Sequence, residues 1–190
     1  MAQIVLDFGS GNSCKNDIAY VKRMYDEFKK IDTGKHSVVI KWQLFKQAGQ
    51  NIPLNRGVFD LESLRFLLQY KVPFIKLANN RKLDYLIGEI PRSIHVYISC
   101  GSIEELSSIK LLENVTPLLC VSDYPATVES YENTYRAYLS NYGISDHTTD
   151  FNLWEIYQPK IIEWHVKLQD TTGLDAGEFS RTPEQLKRVM

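Results

Sequence analysis

The stretch Thr116–Val166, TPLLCV-SDYPAT-VESYENTYRAYL-SN-YGIS-DHTTD-FNLWEIY-QPK-IIEWHV, decides the fold. Its period changes back and forth. Short apolar runs at Thr116–Val121, Tyr142–Ser145 and Ile161–Val166 have strand length and strand composition, and the segments between them, Val128–Leu139 and Phe151–Tyr157, have helical spacing. Strand, helix, strand, helix, strand is the pattern of a parallel sheet with helices outside it.

The same rhythm runs outward to both ends. Further strands are expected at Ile4–Phe8, Val38–Trp42, Gly57–Phe59, Phe74–Leu77 and His95–Ser99, and helices at Asp17–Ile31, Leu61–Tyr70, Arg81–Ile90, Ile103–Leu112 and Pro183–Val189. In the first helix Ile18, Val21, Met24, Tyr25, Phe28 and Ile31 form one stripe, with Asn16 or Asp17 as its cap; Ser102 and Thr182 open later helices. Eight strands allow an open doubly wound sheet or a closed (β/α)8 barrel, and the count favours the barrel. Strands of about 5 residues, helices of about 11 and connections of about 4 sum to roughly 180 residues, so the chain holds one small (β/α)8 TIM barrel over residues 1–190 and no second domain. The segment Lys46–Arg56 is too short and too rich in Gly, Pro and Asn for a crossover helix, so the helix between strands two and three is missing or reduced. Apolar surface left open there is expected to be covered in a homodimer.

Composition narrows the functions. The chain has 190 residues, 22 Lys and Arg against 23 Asp and Glu, and a formal net charge of −1, so nothing draws it as a whole to nucleic acid or to a membrane surface. No segment approaches the roughly 20 apolar residues of a membrane span. Cys14, Cys100 and Cys120 are odd in number and widely spaced, which argues for buried thiols in a reduced, cytoplasmic protein. Gly9-Ser-Gly-Asn-Ser-Cys14 lacks the third glycine of a dinucleotide loop and reads as a turn. Tyr131, Tyr135, Tyr138 and Tyr142 read as core packing.

In a parallel barrel the strand C-termini share one rim, and the side chains there are polar: Asp7, Lys41 with Gln43, Lys76, Ser99, Ser122 with Tyr124, Ser145 with His147, and His165. Period-two parity puts each pair on one face, Glu163 with His165 included. Charge inside an apolar run is costly unless something opposite meets it. Lys41 and Lys76 with the serine hydroxyls therefore suit a phosphate or carboxylate, the bland alternative being that each lysine snorkels to water. His147 and His165, on adjacent strands about 4.8 Å apart, suit one divalent metal at about 2.1 Å from each, the bland alternative being two hydrogen-bonded polar residues.

Val39-Ile-Lys-Trp-Gln-Leu-Phe45, Val58-Phe-Asp-Leu-Glu-Ser63, Val72-Pro-Phe-Ile-Lys-Leu-Ala78, Leu119-Cys-Val-Ser-Asp-Tyr-Pro125, Gly143-Ile-Ser-Asp-His-Thr148 and Ile162-Glu-Trp-His165, in this order and across nearly the whole chain, resemble the N-acetylneuraminate (sialic acid) synthase family. The resemblance implies condensation of phosphoenolpyruvate with an N-acetylmannosamine-like sugar acceptor, release of phosphate, and a divalent metal, manganese or else magnesium. It implies catalytic roles for Asp7, Lys41, Lys76, Tyr124 and Asp175. Substrate contacts fall to Gln43, Phe59, Asn79, Ser99, Ser122 and Ser145, and metal ligation to His147 and His165. Four positions depart from the family. Asp7 replaces a glutamate, Arg81 the catalytic glutamate, Asn79 a serine and Ser122 an asparagine, and arginine is no general acid or base. The family's C-terminal antifreeze-like domain has no counterpart in these 190 residues. The expected function is thus a synthase with an altered acceptor site. The alternatives are a non-catalytic barrel that binds phosphoenolpyruvate or a sugar phosphate and, more weakly, a metal-dependent hydrolase.

Overall fold

The computed structural model describes residues 1–9, 17–43, 60–109 and 112–190. Strands β1 (Gln3–Asp7), β2 (Ser37–Lys41), β3 (Phe74–Leu77), β4 (His95–Cys100), β5 (Val115–Cys120), β6 (Gly143–Asp146) and β7 (Ile161–His165) alternate with helices α1 (Ile18–Phe28), α2 (Leu61–Leu67), α3 (Ile103–Ser108), α4 (Val128–Tyr135), α5 (Asn152–Tyr157) and α6 (Pro183–Leu186). All seven strands are parallel, in the order β2-β1-β7-β6-β5-β4-β3. The strand expected at Gly57–Phe59 and the reduced crossover before it lie outside the described residues.

The sheet curls. Tyr97 on β4 hydrogen-bonds Gln3 on β1, four strand spacings away along the sheet. Flat, those strands would be about 19 Å apart, beyond the combined reach of the two side chains. Val5, Tyr97 and Leu118, joined by Val39, Phe74 and Ile161, form an interior apolar layer drawn from six strands, including both edge strands. The outer face carries two larger apolar clusters under the helices. The chain is therefore an α/β fold with a curled, half-barrel parallel sheet.

Capping fixes several helix starts. Asp17 accepts from Ala19 and Tyr20 at the head of α1, Ser102 from Glu105 at α3, and Thr182 and Gln185 form a reciprocal capping box at α6. In α1, Met24 and Phe28 are buried, as is Ile31 just beyond it, but Ile18 is 82% exposed and Tyr25 44% exposed, against the expected stripe. At about 100° per residue Ile18 and Tyr25 lie roughly 80–100° from the stripe centre, on flanks the sheet does not reach. Arg81–Glu89 winds as a 3-10 helix rather than an α-helix, burying Leu83 and Leu86 three residues apart. Helix α5 ends at Tyr157 as its spacing suggests, whereas α1, α2, α3, α4 and α6 end earlier than theirs. Of the four tyrosines, Tyr131 and Tyr135 are fully buried and Tyr138 and Tyr142 only partly; Cys100 and Cys120 are buried free thiols. None of the described helices is long and apolar enough to cross a membrane.

Candidate functional site

The register decides which polar groups meet. Asp7 pairs with Lys41 on one side and His165 on the other, Ser145 with Glu163, and Cys120 with Ser145, so these side chains share the inner face above the Val5–Tyr97–Leu118 layer. Lys41 reaches Asp7 and, at 2.8 Å, Glu163 Oε1. Lys76 crosses from the far edge strand to Glu163 Oε2, which also accepts from Ser145 Oγ at 2.6 Å. Gln43 Nε2 donates to Asp7 Oδ2 at 2.8 Å and the Gly9 N–H to Asp7 Oδ1 at 3.0 Å. Glu163 is the hub of this network.

The electrostatics follow from the pairing. Burial alone would push Asp7 and Glu163 up, but Lys41 with His165 holds Asp7 below the usual carboxylate range, and Lys41 with Lys76 holds Glu163 well below it. Burial would push Lys41 down; Asp7 and Glu163 reverse this and raise it. Among the described residues Lys76 pairs with one carboxylate, Glu163, and has Lys41 as a like-charged neighbour, so burial wins and its ammonium is lowered.

Above this layer stand the histidines. His147, one residue past β6, points Nδ1 at the Val121 carbonyl, 2.7 Å away. A carbonyl only accepts, so Nδ1 carries the proton and Nε2 the lone pair. Burial, with His165 beside it, pushes His147 down to about 3, which keeps it neutral. His165 Nδ1 lies 3.3 Å from Asp175 Oδ1 and 3.6 Å from Asp7 Oδ2. Burial would lower this imidazole, but Asp7 and Asp175 raise it. The two ring centroids are 5.3 Å apart. Tyr124 stacks on His147 at 4.0 Å, and Phe179 sits edge-on to His165 at 5.2 Å.

Among the described residues no group of three or more His, Cys, Asp or Glu is arranged to hold a metal ion. The histidine pair nevertheless fits a partial site. Each ring has Nδ1 turned toward an oxygen, the usual second partner of an imidazole that ligates through Nε2, and the remaining positions would be open to water or substrate oxygens.

Asp175 owes its place to Gly9. Gly9 has φ +51°, and a Cβ there would stand 2.5 Å from Asp175 Oδ2. Gly9→Ala is expected to cost about 1–2 kcal/mol through the left-handed backbone alone and to drive Asp175 off His165; thermal denaturation and the His165 imidazole NMR shifts check both.

The remaining expected residues are more scattered. Ser99 is buried on the inner face, whereas Tyr124 is 39% exposed and Ser122 is exposed. Asn79 is half-buried, with an Oδ1 that has no hydrogen-bond partner. Arg81 donates Nη2 to the Ser99 carbonyl at 2.9 Å and pairs with Asp84 at 3.4 Å. Phe59 lies outside the described residues. Sequence reasoning missed Glu163 as a functional residue, although an acid within Ile161-Ile-Glu-Trp-His165 is the same signal that marks Lys41. It also missed the fully buried Asp146–Arg181 pair behind the histidines.

The sequence matches the NeuB family over residues 11–190, and the chain belongs to that family. No curated protein matches it.

Proposed function

We propose that the chain is a sialic-acid-synthase-like enzyme that condenses phosphoenolpyruvate with an aldose acceptor of the N-acetylmannosamine kind. C3 of phosphoenolpyruvate forms a bond to the acceptor aldehyde carbon, water enters at C2, and phosphate leaves. NeuB membership supports this class of reaction. The observation that carries it to this chain is the convergence of Lys41, Lys76, Ser145, His147 and His165, from four strands or their ends, on one interior. The reading includes closure into an eight-stranded barrel.

Lys41 and Lys76 would hold the phosphate and carboxylate charge, with Ser99 and Ser145 as hydroxyl donors. Tyr124 packs against the imidazole that would face the reacting carbons. Asp7 and Asp175, flanking His165, would orient acceptor hydroxyls. A divalent ion, manganese or magnesium, held by His147 and His165 would polarise the acceptor carbonyl when bound.

Arg81 favours the second reading, a non-catalytic barrel that binds phosphoenolpyruvate: a guanidinium fixed to the Ser99 carbonyl stands where the family has its catalytic acid. Phosphate release from phosphoenolpyruvate with manganese and a panel of aldoses, N-acetylmannosamine among them, separates the two. Turnover with any aldose supports the synthase. Silence across the panel, with a thermal shift on adding phosphoenolpyruvate and manganese, supports the binder.

A further inference from the structure

The lysines that would hold the anion already hold carboxylates. Lys41 is paired with Asp7 and Glu163, and Lys76 with Glu163. Each ammonium has three N–H donors, so Lys41 keeps one beyond these two partners and Lys76 keeps one beyond Glu163 and Ser145. Donors are therefore present for a ligand, but net charge is not. Two ammonium groups face two carboxylates, and Asp175 adds a third carboxylate beside His165. His147 is neutral. Among the described residues, the other cations near this end of the sheet have partners of their own: Arg81 the Ser99 carbonyl and Asp84, Lys167 the Ala176 and Gly177 carbonyls, and Arg181 Asp146. Among the described residues, the interior thus offers a multiply charged anion no excess positive charge. A di- or trianion entering such a space loses its hydration without a compensating ion.

We propose that Glu163 is a built-in counter-anion that makes binding of a phosphate-type ligand at Lys41 and Lys76 conditional on a divalent cation at the neighbouring histidines. The proposal rests on the phosphoenolpyruvate reading above and adds regulation to it. In the metal-free protein Glu163 satisfies both lysines and keeps the buried charges balanced. A cation beside them supplies the positive charge the anion lacks, and the spare N–H donors, already aligned by Glu163, close on it.

Calorimetric titration of phosphoenolpyruvate into the full chain tests this without turnover. With EDTA the protein is expected to give no saturable heat, and with manganese a saturable isotherm at least tenfold tighter than any residual binding. Glu163→Gln, which keeps the shape and removes the charge, is expected to bind phosphoenolpyruvate in EDTA within about tenfold of the manganese-loaded parent. Equal affinity of the parent with EDTA and with manganese would overturn the role of Glu163 and leave the anion site standing. A folded Glu163→Gln, by circular dichroism, that stays silent in EDTA would overturn it too. No binding by the parent in either condition would remove the anion site itself and the proposal with it. If Glu163→Gln does not fold, the comparison of the parent with and without manganese decides alone.

Discussion

Lys41→Met is expected to destabilise the protein by about 3–5 kcal/mol and to abolish phosphoenolpyruvate-dependent phosphate release. The ammonium lies between Asp7 and Glu163, both with fully buried side chains, and methionine keeps the stem while removing the charge. Asp7 then retains Gln43 and the Gly9 N–H, and Glu163 retains Lys76 and Ser145, but three buried charges replace four and the balance tips negative. Removing one partner of a buried pair costs more than the pair contributes, because the survivor stays desolvated. For a chain of this size such a loss lowers the melting temperature by roughly 10 °C. Adding Asp7→Asn to Lys41→Met is expected to recover part of the stability and none of the turnover, since it removes the stranded charge without restoring the cation. A single variant as stable as the parent would show that the lysine is not buried between the two acids.

Arg181→Met is the second large effect, again about 3–5 kcal/mol, read as a shift in the urea midpoint at unchanged slope. Its side chain is fully buried and donates to the carbonyls of Thr148 at 2.7 Å, Phe179 at 3.0 Å and Asp150 at 2.5 Å, with Asp146 at 3.5 Å. Asp146 also accepts from Trp164 Nε1 and from Thr148. The Arg181 main chain donates to the His165 carbonyl at 2.8 Å, so this residue ties the segment carrying Asp175 and Phe179 to the strand carrying His165. By contrast the Arg23–Asp170 pair, with side chains 49% and 60% exposed, is screened by water, and breaking it is expected to leave the urea midpoint nearly unchanged. Equal effects from the surface and buried pairs would contradict the packing behind the histidines.

Parity and charge made much of the site legible. A lysine inside Val39-Ile-Lys-Trp42 or Phe74-Ile-Lys-Leu77 is costly unless it points at a counter-charge, and a strand side chain has only two faces to choose from. That argument selects Lys41 and Lys76 from the sequence, and alternation brings Asp7, Ser145 and His165 onto the same face. What it does not select is who pairs with whom. Glu163 meets Lys76 because the sheet curls, and curvature is a property of all the strands together rather than of any one run. Asp146 and Arg181 are 35 residues apart, with no local pattern linking them. Helix width was misjudged for a similar reason: six apolar residues mark a stripe, but how much of it the sheet covers depends on the packing partner, which leaves Ile18 and Tyr25 outside. The 3-10 winding of Arg81–Glu89 is likewise a matter of fitting Leu83 and Leu86 under neighbouring elements, since the same residues read as an α-helix by spacing.

The most direct test of the shared interior is a crystal of the protein grown with manganese and phosphoenolpyruvate, with diffraction measured at the manganese absorption edge. The account predicts an anomalous peak about 2.1–2.3 Å from Nε2 of both His147 and His165, with phosphate or carboxylate oxygens within about 3 Å of the Lys41 and Lys76 ammonium groups. A peak bound to other residues, or a ligand seated away from both lysines, would contradict it.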